Sequence, residues 1–413
     1  MRLDEQALAG VRVVEFTQGM AGPWIGRLMA WCGAEVIRVE SHKVPGVVRL
    51  YVPPRSPELG VQPALSPWFT DWDAGKLFVA LDLKRPEGVD LAKQLTERAD
   101  IVVENHRYGA MAKLGLGADV LTAVKPDLIF LSSSAFGESG PHPQYVTWGP
   151  NIEAMSGLAA LSGFPERDCA MTQYAYPDAL SALHGLFAIL CALDHRERTG
   201  EGQRISLSQL ETTVAMIGPA MMQQLTGTTP PRLGNGSLHQ APHGCYRCLG
   251  DDSWCVVAAS DDAMWQRLCE VIERPDQAAK AHLCDVAGRL AHTFEIDEAI
   301  EAWTCQRPAQ EAMERLQAAG VTAGAVQNAE DQFQLDTHLA QRGYFETIPH
   351  LVKGEVVACG IALGLTATPG RTSRTGAAVG EDNEHVFRDL IGLSADAYAD
   401  AVQSGAIEIG GPG

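Results

Sequence analysis

The sequence predicts an α/β protein, a large domain on a parallel sheet followed by a smaller α+β domain. Strand-like apolar runs alternate with helical periods from Val11 onward, the pattern of a doubly wound sheet. A glycine-containing turn joins the first strand to the first helix. After Thr226 the chain crosses a turn-rich stretch, Thr228 to Ser237, beyond which strands shorten and helices carry more charge. The expected organisation is a large domain over 1–226, a small domain over 227–330, and a segment over 331–413 that returns to the large domain.

Val11 to Phe16 has the apolar character of a buried strand, and Thr17-Gln18-Gly19-Met20-Ala21-Gly22-Pro23 follows as the turn. Pro23 suits the first turn of a helix reaching about Trp31, and Glu35 to Glu40 reads as the second strand. The turn lacks the Gly-x-Gly-x-x-Gly fingerprint, so a nicotinamide-dependent dehydrogenase is not supported. Leu77 to Leu83 reads as a strand, Pro86 to Ala99 as a helix and Ile101 to Asn105 as a strand. Short helices cover Gly109 to Val124, and Asp127 to Ser134 is a further strand. This alternation predicts parallel pairing, with ligands at the carboxyl ends of the strands. Arg38, Arg107 and Lys113 stand at or just past such ends, each either a ligand contact or a solvated surface charge. Ser132-Ser133-Ser134 lacks a Gly-x-Ser-x-Gly elbow and reads as a strand end. A helix is expected over Asn151 to Leu161, a strand over Gln203 to Leu207 and a helix over Ser208 to Leu225.

Between them, Pro177-Asp178 opens an apolar run from Ala179 to Leu193 that closes in Arg198-Thr199-Gly200. Leu180, Leu183, Leu186, Phe187, Leu190 and Leu193 keep near a 3.6-residue period, which predicts a mostly buried helix. Asp178 in its first turn has two readings. It is an N-cap, or it is a nucleophilic carboxylate held at a helix N-terminus.

Composition narrows the function classes. The 413 residues, 46% hydrophobic and 20% charged, describe an ordinary globular protein. A net charge of −19 argues against nucleic acid and anionic membranes as partners, while leaving room for a basic pocket that takes an anionic small ligand. No apolar run reads as a membrane span and the first residues lack a signal peptide's apolar core, so a cytoplasmic location is expected. Ten cysteines scattered from Cys32 to Cys359 fit reduced thiols. His239, His243, Cys245 and Cys248 have zinc-like spacing, but their order is unusual and the cysteines fall in a strand hairpin, so no metal is expected. Gly405 to Gly413 reads as a frayed tail.

Ordered blocks then carry a resemblance. They are Ala21-Gly22-Pro23 with Gly33 to Glu40, Leu81 to Lys84 with Pro86-Glu87-Gly88, and Val103-Glu104-Asn105-His106-Arg107 leading to Leu114-Gly115-Leu116. Pro177-Asp178 through Gln203, Gly234-Asn235, Ala241 to Gly244, Ala319-Gly320-Val321, Arg342 to Phe345 and Gly380 to His385 continue the series. In this order the chain resembles the class III CoA-transferases of the formyl-CoA and carnitine CoA-transferase type. The resemblance implies a Rossmann-like CoA-binding domain, an interlocked-ring dimer, and Asp178 as a covalent nucleophile. It implies CoA thioesters as substrates with no tightly bound cofactor, contacted by Gly19, Met20, Ala21, Arg38, Asn105, His106, Arg107 and Lys113. Gly234 to Ser237 stands where relatives carry a glycine-rich lid. The same fold hosts α-methylacyl-CoA racemases, but Thr147 to Asn151 lacks the histidine they use, with His142 nearby. The Gln144 to Pro150 region is similar to succinyl-CoA:benzylsuccinate CoA-transferase subunits, which work as paralogous pairs. That similarity implies succinyl-CoA as donor and an aryl succinate as acceptor, with a homodimer or a paralogous heteromer as the assembly. Oxalate, carnitine and other carboxylates stay open as acceptors. Tyr145, Trp148, Tyr174 and Tyr176 either line an aromatic acceptor pocket or serve packing.

Overall fold

Strand β1 (Arg12–Phe16) lies inside a parallel sheet and sends alternate side chains into two separate cores. Val14 and Phe16 join Ile37, Val79, Val102 and Phe130 on one face. Val13 joins Ile25, Val36, Ile101, Leu131 and Ile189 on the other. Burial on both faces is what the near-continuous apolar strands required. The structure is a computed structural model that describes residues 6–51, 66–350 and 353–409.

In chain order the first elements are β1, α1 (Ala21–Trp31), β2 (Glu35–Glu40), α2 (Pro67–Trp72), β3 (Leu77–Ala80), α3 (Pro86–Glu97), β4 (Ile101–Glu104), α4 (Ala110–Lys113), α5 (Ala118–Val124) and β5 (Ile129–Ser134). Then come α6 (Gly149–Ser156), α7 (Leu158–Leu161), α8 (Tyr176–Thr199), β6 (Gln203–Ser208), α9 (Gln209–Met216) and α10 (Gly218–Leu225). The sheet runs β3-β2-β1-β4-β5-β6, every pair parallel. The order reverses between β1 and β4, so the crevice beyond their carboxyl ends is the topological switch point where such sheets bind ligands.

By internal contacts the described residues of Met1–Ala159, Met171–Thr226 and Leu339–Gly413 form one unit, and Ala160–Ala170 with Gly227–His338 form a second. The second unit holds β7 (His243–Arg247), β8 (Trp254–Ala258), α11 (Asp262–Val271), α12 (Pro275–Ala278), α13 (Val286–Ala291), α14 (Thr293–Thr304), α15 (Ala309–Ala318), β9 (Thr322–Ala325) and α16 (Ala329–Gln334). Its sheet, β7-β8-β9, is antiparallel, and its core gathers Trp265, Leu268, Ile296, Ile300 and Leu316. After α17 (Thr337–Gln341) the hairpin of β10 (Phe345–His350) and β11 (Gly354–Cys359) and helix α18 (Ala395–Gln403) complete the first unit.

The C-terminal segment covers the open edge of β3. Phe78 N–H donates to Asp382 Oδ2 at 2.8 Å and Ala80 N–H to Asn383 Oδ1 at 2.8 Å, which satisfies groups an edge strand would leave bare. Asp82 N–H donates to Ala406 C=O at 3.0 Å, and Leu81 bridges Ile407. Ala406 and Ile407 are fully buried, which corrects the expected frayed tail over residues 405–409. Residues 410–413 of that stretch lie outside the described residues.

Three further expectations change. The single helix expected over Ser208 to Leu225 is two, parted at Ile217 before Gly218-Pro219, because proline cannot continue the hydrogen-bond ladder of the helix before it. The helix over Asn151 to Leu161 begins at Gly149 and breaks at Gly157, which takes positive φ. Helix α8 is not mostly buried. Its core stripe is Ser181, Ala182, Gly185, Ile189 and Ala192, while Leu183, Phe187 and Leu190 stand exposed, Phe187 at 68%. Close approach explains the inversion: a Cβ at Gly185 would meet Ile25 Cδ1 at 2.8 Å, so no larger residue fits at that crossing. By length and hydropathy alone α8 is long and apolar enough to cross a membrane, contrary to the reading from the apolar run.

Candidate active site

The crevice at the switch point is a pocket of about 190 Å³ contained within the first unit. Residues just past the strands line it: Gln18 and Gly19 after β1, Asn105 to Tyr108 after β4, Ser134 and Ala135 at the end of β5, and Gln209 after β6. The loop into α6 adds Tyr145, Thr147, Trp148 and Gly149, and the first turn of α8 adds Asp178.

Asp178 is not a cap. The N-cap position of α8 is Ala175, with no side-chain capping bond, and Asp178 sits within the first turn. Its carboxylate instead faces the backbone N–H of Ala21, at the start of α1, and its own N–H, both of which favour the ionised form. Two helix N-termini thus converge on one carboxylate, each favouring negative charge there. Burial opposes them and prevails, pushing the Asp178 carboxyl up to about 6. It remains largely ionised at neutral pH, forms no ion pair among the described residues, and is raised toward the range of a better nucleophile. Gly149 is required here, since a Cβ would lie 2.5 Å from Asp178 Oδ2.

The turn after β1 is pinned from behind. Gln18 N–H donates to Asn105 Oδ1 at 2.7 Å, and Asn105 Nδ2 returns a bond to Gln18 C=O at 2.8 Å. A Cβ on Gly22 would fall 2.7 Å from Thr17 Cγ2 and 2.8 Å from Asn105 Cγ, so the two loops touch because that residue is glycine. Lys76 Nζ donates to Pro23 C=O, Glu15 and Asp73 at 2.7 to 2.8 Å, tying the start of α1 to a buried charge network.

Arg38 belongs to that network, and its expected role in CoA binding is corrected. Its guanidinium is fully buried, ion-paired to Asp73, 3.4 Å from Glu40 and 3.2 Å from Thr17 C=O. It lies on β2 with an inward side chain, so it is neither a ligand contact nor a solvated charge. Glu40 is held in turn by Arg49 at 2.6 Å. Burial raises Glu15, against the pull of Lys76 and Arg38, while Arg38 and Lys76 overcome burial to lower Asp73.

The other expected contacts divide. Gly19, Asn105, His106 and Arg107 line the pocket. Met20 and Ala21 are buried beside it, 6% and 1% exposed, so what they offer is backbone. Lys113 is exposed on α4, outside the pocket wall. Lys43 lies on a neighbouring groove with His106, its ammonium held by Asp82 at 2.5 Å and Glu408 at 3.3 Å. Burial, then the charge of Arg38, holds His106 below its ordinary value. Of the expected aromatics, Tyr145 and Trp148 line the wall, whereas Tyr174 and Tyr176 lie outside it. His142 stacks on Tyr145 at 4.3 Å and is also outside.

Sequence reasoning missed Gln18, Ser134, Thr147, Gln209 and Glu104. The rule that ligands meet strand ends could have singled out Ser134 and Gln209, the residues at the ends of β5 and β6. Glu104, the last residue of β4, falls under the same rule. It is 5% exposed, accepts Ser132 Oγ–H and, at 2.8 Å, His106 N–H, and burial still pushes it up to about 7. Among the described residues no group of three metal-ligating side chains occurs, and His243 Nδ1 lies 2.7 Å from Asn235 C=O. The Gly234 to Ser237 stretch belongs to the second unit, beside a cavity lined by Gly234, Asn235 and His243.

The doubly wound sheet thus presents a half-buried carboxylate in the pocket at its switch point. The sequence profile of CoA-transferase family III matches residues 8–383, and the chain belongs to that family. It is 33% identical to succinyl-CoA–D-citramalate CoA-transferase of Chloroflexus aurantiacus, over 95% of this chain and 96% of the relative. It is 31% identical to the alpha subunit of succinyl-CoA–L-malate CoA-transferase from the same organism, over 95% and 91%. Among solved structures it is similar to a CAIB/BAIF family protein from Brucella suis, with TM-score 0.84 and 26% identity over 94% of this chain and all of that one. It is a class III CoA-transferase.

Proposed function

We propose that the chain moves CoA from succinyl-CoA to a small carboxylic acid through covalent intermediates on Asp178. The observation that carries this reading is the Asp178 carboxylate, lodged between two helix N-termini at the strand ends. One carboxylate oxygen attacks the thioester carbonyl, the C–S bond breaks, and a succinyl-aspartyl anhydride and CoA thiolate form. The thiolate attacks the aspartyl carbonyl and succinate leaves, giving an aspartyl-CoA thioester. Acceptor carboxylate displaces CoA to form a second anhydride, and returning thiolate attacks the acceptor carbonyl to release acceptor-CoA and free Asp178. Each step exchanges acyl bonds of comparable energy with no redox change, so CoA thioesters serve as substrates and no resident cofactor is invoked. Donors for the oxyanion and exclusion of water from the anhydride complete the requirement.

In this reading the turn at Gly19, Met20 and Ala21 offers backbone to CoA, with Asn105, His106, Arg107 and Lys113 along its path. The relatives that use D-citramalate and L-malate favour a short dicarboxylic acceptor. Tyr145 and Trp148 in the wall support a second acceptor, benzylsuccinate or another aryl succinate. The exposed apolar face of α8 supports association with a second chain, as a linked-ring dimer or with a paralogous subunit.

The test is incubation with succinyl-CoA and, separately, D-citramalate, L-malate, glutarate and benzylsuccinate, with product thioesters read by mass spectrometry. New acyl-CoA with release of succinate is expected for at least one acid. Exchange of the α-proton of a 2-methylacyl-CoA in heavy water, with no transfer, would replace this reading with an α-methylacyl-CoA racemase.

A further inference from the structure

Two hydroxyls in the pocket wall have nothing to bond. Ser134 closes β5, is 3% exposed, and its Oγ has no hydrogen-bond partner among the described residues. Thr147 Oγ1, in the loop before α6, is buried and partnerless in the same way. Both residues line the 190 Å³ pocket that Asp178 shares. A buried hydroxyl that gives up water without gaining a partner is uncommon in a folded protein. Ser132, on the same side of β5, gives its hydroxyl to Glu104; Ser133 Oγ also lacks a partner among the described residues but points to the other face, so Ser134 is the unpartnered serine of β5 that lines the pocket.

We propose that Ser134 and Thr147 bind the distal carboxylate of a dicarboxylic acyl group while its other carboxyl reacts at Asp178. They are specificity determinants that select dicarboxylic over monocarboxylic acids. The inference rests on the reading of Asp178 as nucleophile and adds the polar end of the same pocket. Hydroxyl donors suit a carboxylate, whose oxygens only accept, and bonds to an ionised acceptor are the short, strong kind. Among the described residues Arg107 is the one Lys or Arg in the wall, so an anion there meets positive charge. The pocket is smaller than sites for drug-sized ligands and fits a short acid, with the bulk of CoA outside it.

The experiment compares first-turnover labelling of Asp178 by succinyl-CoA and by butyryl-CoA, which match in carbon number and differ in the distal carboxylate. Wild type, Ser134→Ala and Thr147→Val are measured side by side. Each variant is expected to raise the apparent KM for succinyl-CoA about tenfold, the size of one lost hydrogen bond to a carboxylate. With butyryl-CoA the change is expected to stay below about threefold on the same reasoning, so the preference for the dicarboxylic thioester collapses. Thr147→Val keeps the side-chain shape and supplies the readout if Ser134→Ala does not fold. An unchanged preference, or an equal loss with both thioesters, overturns the assignment while leaving Asp178 in place. Wild type that is labelled by neither thioester removes the nucleophile reading, and this inference with it.

Discussion

Asp178 shows how placement sets the reactivity of a common side chain. An exposed aspartate in a first helical turn would be an ordinary carboxylate, whereas burial lifts this one to about 6 against two backbone N–H groups. The proposed nucleophile is the ionised form, so labelling by acyl-CoA is expected to rise with pH, reach half its plateau near pH 6 and level off above. A stopped-time pH series on the first turnover reads this directly. Linkage gives a second consequence. The folded state holds the Asp178 proton more tightly than the unfolded chain, so between about pH 4 and pH 6 its contribution to stability falls as pH rises. Asp178→Asn is therefore expected to gain roughly 1–3 kcal/mol over wild type at pH 7, a gain that vanishes below about pH 4, as urea titrations at both pH values would show. The periodicity of α8 located this residue, and the order of the neighbouring blocks raised it above a helix cap. Its neighbours were less legible. Arg38 reads identically in sequence whether it faces solvent or a buried Asp73, because the acid that claims it lies far along the chain. Ser134 reads as a strand end until its unpartnered hydroxyl is seen in the pocket wall.

At the scale of elements, the sheet was legible and the faces of its helices were not. Strand positions depend on short apolar runs broken by turn residues, a local signal, and β1, β2, β4 and β5 fall within a residue or two of the runs that predict them. The orientation of α8 depends instead on which neighbour comes close. Large residues at helical spacing suggested the buried stripe, yet contact with α1 and β5 selected Ala182, Gly185 and Ala192 and turned Phe187 outward. A second element-scale feature is the buried set Glu15, Lys76, Asp73, Arg38, Glu40 and Arg49, which ties β1, β2 and α1 together behind the turn. Removing one member leaves uncompensated buried charge. Lys76→Ala is expected to destabilise the protein by roughly 3–5 kcal/mol in urea unfolding. Loss of the bond to Pro23 C=O also frees the start of α1, so activity in the surviving folded fraction is expected to fall as well. Wild-type stability in that variant would show the network to be dispensable.

At the scale of the whole molecule, α8 joins the proposed nucleophile Asp178 at one end to an exposed apolar face along its length. Leu183 at 52%, Phe187 at 68% and Leu190 at 41% exposure are large apolar groups that a second chain would cover. In the proposed dimer, Phe187→Asp is expected to shift sedimentation toward the monomer, and a wild type that sediments as a monomer, or an unchanged coefficient in the variant, would contradict association through this face. The central claim, however, is covalent chemistry at one aspartate, and peptide mass spectrometry tests it most directly. The protein is mixed with succinyl-CoA, trapped with hydroxylamine or borohydride, digested and mapped. The account predicts modification confined to the peptide that carries Asp178 and absent from Asp178→Ala. Transfer of CoA to an acceptor with Asp178 never modified, or undiminished transfer by Asp178→Ala, would contradict it.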